Sequence, residues 1–190
     1  VECLQGYARF IDPWTVEISG KDGSVARLTS RAFVIATGAA PVVPPLPGIE
    51  SSGYLTSETL WDAMALRSQV PGRLVILGGG PIGCELAQAF QRLGSDVTMV
   101  EMAERLLLKE DAEAASIVTQ SLEADGVRIL TGHKAVRFDG KSLTVEGAGR
   151  ETQLDFDDII CATGRRARVA GFGLEELGLL ENGRLVVDPY

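Results

Sequence analysis

Short apolar runs alternate with amphipathic stretches through the middle of the chain. The runs at 74–77, 97–100 and 127–130 have the length of buried strands, and apolar residues at helical spacing fill 81–93 and 111–124. Strands that alternate with helices in this way predict right-handed βαβ units and a parallel sheet with helices on both faces. The expected fold class is therefore α/β and Rossmann-like.

The flanking stretches have a different pattern. Residues 1–18 alternate apolar and polar positions, and 20–23 predict a hairpin loop. The run 32–36 has the composition of a short buried strand, and three short segments between 135 and 154 predict a small antiparallel β excursion. Residues 184–187 predict one last strand. The ends of the chain have too little sequence to bury cores of their own, so we expect them to belong to a neighbouring domain.

The first strand of the alternating region runs directly into a glycine-rich turn. Gly78, Gly80 and Gly83 have the spacing G-x-G-x-x-G, which lets the backbone approach a pyrophosphate at the N-terminus of the following helix. The next strand ends at Glu101, close to the roughly 20 positions downstream at which a carboxylate can accept hydrogen bonds from an adenosine ribose. We interpret this pair of features as an NAD site.

Net charge and cysteine spacing limit the kinds of partner and of site that this chain can have. The net charge of −8 argues against nucleic acid or an anionic membrane surface as the main partner, and no apolar run approaches the ~20 residues of a membrane span.

The three cysteines, Cys3, Cys84 and Cys161, are isolated, which leaves a disulfide framework or a zinc site unsupported. Cys84 lies near the N-terminus of a predicted helix, which could lower the pKa of its thiol. Alternatively it packs as a small buried residue between helix and strand, and we favour this second interpretation. His133, the only histidine, is expected in a solvated loop. The expected location is cytoplasmic.

Three motifs in register carry a family resemblance: Ala36-Thr37-Gly38, the glycine turn with Glu101, and Ala162-Thr163-Gly164-Arg165. In this order they resemble the middle of the pyridine nucleotide–disulfide oxidoreductases, flavoenzymes that include dihydrolipoamide dehydrogenase and mercuric reductase. The stretch 81–90 is especially similar to mercuric reductase-like members. The resemblance implies that residues 1–39 are a partial FAD-domain segment, 40–164 an NAD(P)-binding domain, and 165–190 the truncated start of the following domain.

The resemblance also implies what the chain lacks. The rest of the parent flavoenzyme, with its FAD and dimerisation domains, would be the partner of this fragment, and the parent would be a homodimer with bound FAD. We expect no catalytic residue and no metal ligand within the chain, and no full reaction from the isolated chain.

The resemblance assigns cofactor contacts residue by residue. Ala135 and Gly164 would border the adenosine and nicotinamide ends, and Thr37-Gly38 would touch FAD in the parent. Glu85 would face the flavin–nicotinamide junction or, alternatively, be a solvated glutamate favoured by the helix dipole. Pro81 stands where some members carry an aromatic gate. The full set of candidate contacts is Gly78, Gly79, Gly80, Pro81, Ile82, Gly83, Glu85, Glu101, Ala135, Gly164, Thr37 and Gly38.

The carboxylate of Glu101 favours NAD(H) over NADP(H), because it accepts from a 2′-hydroxyl and repels a 2′-phosphate. Arg105 could reach such a phosphate, pair with Glu101 or Glu110, or be solvated. Two other functions stay open at this point: a stand-alone NAD-binding or redox-sensing module without catalysis, and a Rossmann methyltransferase. The two A-T-G segments count against the stand-alone module, since they are expected beside an FAD domain. The proline-rich connector at 40–48 and the second A-T-G segment count against the methyltransferase.

Overall fold

The computed structural model describes residues 1–188, and the chain divides into two compact units. One unit is Pro41–Arg165, and the other combines Val1–Ala40 with the described part of Arg166–Tyr190. No helix among the described residues is long and apolar enough to cross a membrane.

The helices are short and the strands are numerous. The helices are α1 (Ile49–Ser52), α2 (Leu60–Ala65), α3 (Pro81–Arg92) and α4 (Ala112–Ala124). The strands are β1 (Tyr7–Asp12), β2 (Thr15–Ser19), β3 (Val25–Thr29), β4 (Ala39–Pro41), β5 (Leu55–Thr56), β6 (Arg73–Leu77), β7 (Asp96–Val100), β8 (Arg128–Leu130), β9 (His133–Asp139), β10 (Ser142–Gly147), β11 (Arg150–Asp155), β12 (Asp158–Cys161), β13 (Arg165–Ala167), β14 (Leu180–Glu181) and β15 (Arg184–Leu185).

A five-stranded sheet forms the centre of the Pro41–Arg165 unit. Its strand order is β5-β12-β6-β7-β8, and every neighbouring pair is parallel. The last strand of this sheet in chain order, β12, therefore lies between β5 and β6. The predicted α/β class and parallel sheet are confirmed.

The two faces of this sheet are covered by different structures. On one face Leu74, Ile76 and Met99 pack with Ala87 and Phe90 of α3. The other face packs mainly on the antiparallel sheet β11-β10-β9, through a cluster that includes Val75, Leu77, Ile159, Leu143 and Phe156. The predicted antiparallel excursion is confirmed. Helices cover both faces, as predicted, but the second face has only the one-turn α1, because the chain between β8 and β12 forms the strands β9–β11.

Helix α3 begins at Pro81, and Gly94 follows its end in the left-handed conformation at φ 104°. A stripe drawn through Ile82, Leu86, Ala89, Phe90 and Leu93 predicts the buried face incorrectly at two positions. Ala89 and Leu93 are exposed, whereas Cys84 and Ala87 are buried. Gly83 lies on the same side of the helix as Ala87, and its close approach to the Gly78 carbonyl oxygen places that side against β6.

The other unit contains the meander β1–β3, whose hairpin loop at 20–23 is confirmed. The C-terminal stretch is tied to it: the Phe10 amide donates to the Phe172 carbonyl at 2.8 Å, and Arg9 forms an ion pair with Glu176. The contacts within the structure group these two stretches into one compact unit, and their assignment to domains of a larger enzyme, which the resemblance implies, stays a prediction.

Two strand predictions in this unit need correction. Residues 32–36 form no strand, and Val34 is 94% exposed. No described strand lies alongside this run to complete its hydrogen bonds, so its apolar composition alone does not make it β. At the C-terminal end the strand β15 stops at Leu185, two residues earlier than predicted.

Candidate functional site

The glycine turn after β6 is tightly packed at two of its glycines. Gly78 has φ +109°, and a Cβ at this position would lie 2.4 Å from the Ala162 carbonyl oxygen. A Cβ on Gly83 would lie 2.1 Å from the Gly78 carbonyl oxygen. Any side chain at either position would push α3 or β12 away from β6, so both positions require glycine.

Gly80 differs from its neighbours because the space beside it is open. A Cβ built there would meet no atom within 4 Å, and the backbone is extended at φ −77° and ψ 179°. Gly80 caps α3, and the first-turn N–H groups of a helix have no intrahelical partner. The turn therefore offers backbone room and a positive helix end at the same place.

The carboxylate of Glu101 is bound by the protein backbone. Its Oε2 accepts from the Gly79 amide at 2.6 Å, and its Oε1 accepts from the Ala103 amide at 2.7 Å. The side chain is half-buried, and Gly79 is buried. Charge-assisted hydrogen bonds of this kind hold the carboxylate at the edge of the glycine turn.

A cavity of about 780 Å³ lies at the carboxyl ends of β6, β7 and β12. This is the edge of a parallel sheet at which ligands bind in open α/β folds. Its size lies in the range of small-molecule and cofactor sites. The residues around it are Pro44, Leu46, Leu77, Gly78, Gly79, Gly80, Pro81, Ile82, Val100, Glu101, Met102, Arg105, Leu107, Leu108, Lys109, Glu110, His133, Lys134, Ala135, Ala162, Thr163, Gly164 and Arg165.

The cavity brings together most of the candidate contacts named from the sequence. Residues 78–82, Glu101, Ala135 and Gly164 all line it. Gly83 is buried beneath the turn, and Glu85 is exposed on α3 away from the cavity lining. These placements group the residues by position, and their contacts with a cofactor stay predictions.

Thr37 and Gly38 belong to the other unit. The Thr37 hydroxyl donates to the Arg168 carbonyl, and the Arg168 amide donates to the Gly38 carbonyl at 2.9 Å. In the second A-T-G motif, the Thr163 hydroxyl donates to the Val42 carbonyl at 2.7 Å. Each threonine therefore fastens the end of its motif to a nearby stretch of the same unit.

Arg105 is bound to the backbone of its own loop, and its contact with a 2′-phosphate stays a prediction. Its guanidinium donates to four backbone carbonyls of its own loop, those of residues 106, 107, 108 and 110. It is therefore neither a solvated side chain nor the ion-pair partner of Glu101, which is held by amides. The interaction with Glu110 is with its carbonyl oxygen.

The prediction of a solvated loop for His133 is wrong. His133 is half-buried, begins β9 and lines the cavity. Its Nδ1 lies 2.7 Å from the Thr131 carbonyl oxygen, so Nδ1 carries the proton and donates. The sequence did contain a signal for some of the lining residues that were missed. Ligands bind beyond the carboxyl ends of parallel strands, and the residues that follow such ends here are 102–110, His133 and Lys134.

The packing interpretation of Cys84 is confirmed. The side chain is 5% exposed, and burial raises the pKa of its thiol to about 11, with the charges of Glu85 and Glu101 adding to the effect. Burial likewise raises the pKa of the Cys161 thiol to about 12. Neither thiol is activated as a nucleophile at neutral pH.

Comparison with known proteins agrees with this architecture. A family model described as pyridine nucleotide-disulphide oxidoreductase matches residues 1–190. The chain is 35% identical to a mercuric reductase of Staphylococcus aureus, over 100% of this chain and 34% of that protein. It is 37% identical to a dihydrolipoyl dehydrogenase of Thermus scotoductus, over 94% of this chain and 38% of that protein.

Among solved structures, the HOCl-induced flavoprotein disulfide reductase RclA from Escherichia coli superposes with a TM-score of 0.76. The sequence identity is 33%, and the match covers 97% of this chain and 41% of that chain. The chain thus belongs to the pyridine nucleotide–disulfide oxidoreductases, a family of FAD-dependent enzymes. It spans about a third to two-fifths of the length of these relatives.

Proposed function

We propose that the Pro41–Arg165 unit is the NAD(H)-binding domain of an FAD-dependent pyridine nucleotide–disulfide oxidoreductase. Its role is to position a nicotinamide for hydride transfer to or from flavin. The observation that carries the proposal is the carboxylate of Glu101, bound to the Gly79 amide at 2.6 Å on the wall of the cavity at the sheet edge.

The residues around the cavity fit a dinucleotide. The open space beside Gly80 and the N-terminus of α3 suit a pyrophosphate, which needs backbone donors and no intruding side chain. Glu101 would accept from the adenosine ribose, and Ala135 would border the same end. Gly164, exposed on the cavity wall, would border the nicotinamide. When bound, the nicotinamide supplies or accepts the hydride, and this chain provides binding and orientation.

We propose NAD(H) as the preferred nucleotide. A carboxylate beside the 2′-position repels the added phosphate of NADP(H). Arg105, the arginine nearest in sequence, already donates to four carbonyls of its own loop.

We extend the proposal to the parent protein. Residues 1–39 and 165–190 would belong to domains that the rest of the flavoenzyme completes, with Thr37 and Gly38 on the side of FAD. That parent would be a cytoplasmic homodimer, and without its other domains the 190-residue chain would not perform the full reaction.

The proposal is tested by calorimetric titration of the chain with NADH, NADPH and FAD. We expect NADH to bind more tightly than NADPH, and no stoichiometric capture of FAD. The variant Glu101→Ala should weaken NADH by about 1.5–3 kcal/mol, the size of a charged hydrogen bond, and should weaken NADPH less. An equal loss for both nucleotides would mean that Glu101 only holds the turn. Tight binding of NADPH without NADH would refute the preference, and stoichiometric FAD capture would refute the fragment assignment.

A further inference from the structure

The loop that follows β7 is docked against the glycine turn through both polar and apolar contacts. The Leu107 amide donates to the Gly79 carbonyl at 2.8 Å. Leu106 is fully buried, and its Cδ2 fills the space that a Cβ on Gly79 would occupy, at 2.5 Å. Glu101, at the start of this loop, binds the amide of the same glycine. The shape of the loop and the shape of the turn are therefore linked at one residue.

The guanidinium of Arg105 donates hydrogen bonds to several backbone carbonyls of this loop. Its Nη1 lies 2.8 Å from the Leu107 carbonyl oxygen and 3.3 Å from that of Leu106. Its Nη2 lies 3.0 Å from the carbonyl oxygens of both Leu108 and Glu110. A planar fork of donors suits several convergent carbonyls, and a lysine ammonium cannot reproduce its geometry.

The backbone of this loop is strained at the point that Arg105 supports. Leu107 has φ +50°, in the left-handed region that branched and bulky residues avoid. A conformation of this kind persists only where surrounding contacts over-determine it. The hydrogen bonds to both the amide and the carbonyl of Leu107 supply those contacts.

The same loop forms one wall of the cavity. Leu107, Leu108, Lys109 and Glu110 line the cavity together with Arg105 itself. We propose that Arg105 is a positioning residue that shapes this wall of the dinucleotide site through the backbone of residues 106–110. This inference rests on the proposed function, because it concerns how the same site is held ready for its ligand.

The proposal separates two roles that an arginine at this position can have. As a phosphate ligand, Arg105 would discriminate NADPH from NADH and would have to release carbonyls of the loop to do so. As a positioning residue, it affects both nucleotides alike, because the wall is shared. It also controls how often the amides of the loop open to solvent.

The experiment compares Arg105→Lys and Arg105→Gln with the unmodified chain. Arg27→Gln is the matched control, because Arg27 is an exposed arginine paired with Glu17 in the other unit. Calorimetry gives the Kd for NADH and NADPH, and hydrogen exchange gives the protection of residues 106–110. Exchange across the rest of Pro41–Arg165 reports whether each variant keeps its fold.

We expect both Arg105 variants to weaken NADH and NADPH by a similar factor of about tenfold or more, with faster exchange confined to 106–110. Lysine should not rescue the loss, since the charge without the fork leaves the carbonyls unheld. The Arg27 control should match the unmodified chain.

Three results would overturn the inference. They are a loss confined to NADPH, unchanged affinity with unchanged exchange, and a general loss of protection throughout Pro41–Arg165 in both variants. If the unmodified chain binds neither nucleotide while the variants still show faster exchange at 106–110, the proposed function fails and the role of Arg105 in the loop is supported.

Discussion

Two glycines of the turn, three residues apart, allow a direct test of how the site is built. Gly83→Ala places a Cβ 2.1 Å from the Gly78 carbonyl oxygen, whereas ordinary contact begins at 3.4 Å. The first turn of α3 would have to retreat by roughly 1 Å, and overpacking of this kind costs about 1–3 kcal/mol. With a typical urea slope of about 2 kcal/mol/M, a cost near the middle of that range lowers the unfolding midpoint by about 1 M.

Gly80→Ala is the matched control for the same chemical change. Its Cβ would meet no atom within 4 Å, and its φ of −77° suits alanine. The loss of a glycine cap should cost no more than about 1 kcal/mol. The methyl group would, however, enter the space proposed for the pyrophosphate, so the affinity for NADH should fall by about tenfold or more.

The assay is urea unfolding followed by the helical circular dichroism signal, together with NADH titration of the folded variants. All four described helices belong to Pro41–Arg165, so this signal reports on the unit that contains the turn. A Gly83→Ala chain as stable as the unmodified one would refute the packing argument. A Gly80→Ala chain with unchanged NADH affinity would refute the placement of the pyrophosphate.

Two further outcomes follow from buried groups elsewhere in the Pro41–Arg165 unit. Because burial raises the thiol pKa to about 11 for Cys84 and about 12 for Cys161, iodoacetamide at neutral pH should label both thiols only after denaturation, as peptide mass spectrometry can show. Arg67→Ala removes the guanidinium that binds the carboxylate of Asp158, which is 5% exposed, and should lower the free energy of unfolding by about 1–3 kcal/mol. Adding Asp158→Asn to that variant should recover part of the loss in urea unfolding, and no recovery would contradict the account of an unpaired buried charge.

The β6–α3–β7–α4–β8 core was predictable because its signals are local. A buried strand shows as an apolar run, a surface helix shows as apolar spacing, and glycines mark where the chain must turn. Glu101 was predictable for a related reason, since strand length fixes where the tip of β7 falls relative to the turn. The strands and helices depend on neighbours within a few residues, and the periodicity of the sequence records them directly.

The features that the sequence did not predict depend on distant partners or on the path of a loop. The run 32–36 has strand composition, but no described strand lies beside it. The hydrogen bonds of Arg105 to carbonyls of its own loop depend on a backbone path in which Leu107 has a left-handed conformation. No residue pattern in the sequence predicts that conformation. The environment of His133 was predicted incorrectly because it depends on the direction of the chain between the end of β8 and the start of β9.

The strand order has a consequence for how this chain folds. Strand β6 pairs on one side with β7, which follows closely, and on the other with β12, which begins at Asp158. During synthesis, the centre of the sheet therefore stays open until the last part of the unit has emerged. Until then β6 is an apolar edge strand, the kind of surface that pairs with other chains. Late closure by a distant strand also slows folding, because a long loop must close before the contact stabilises it. A chain that ends before β12 should thus aggregate as it is made.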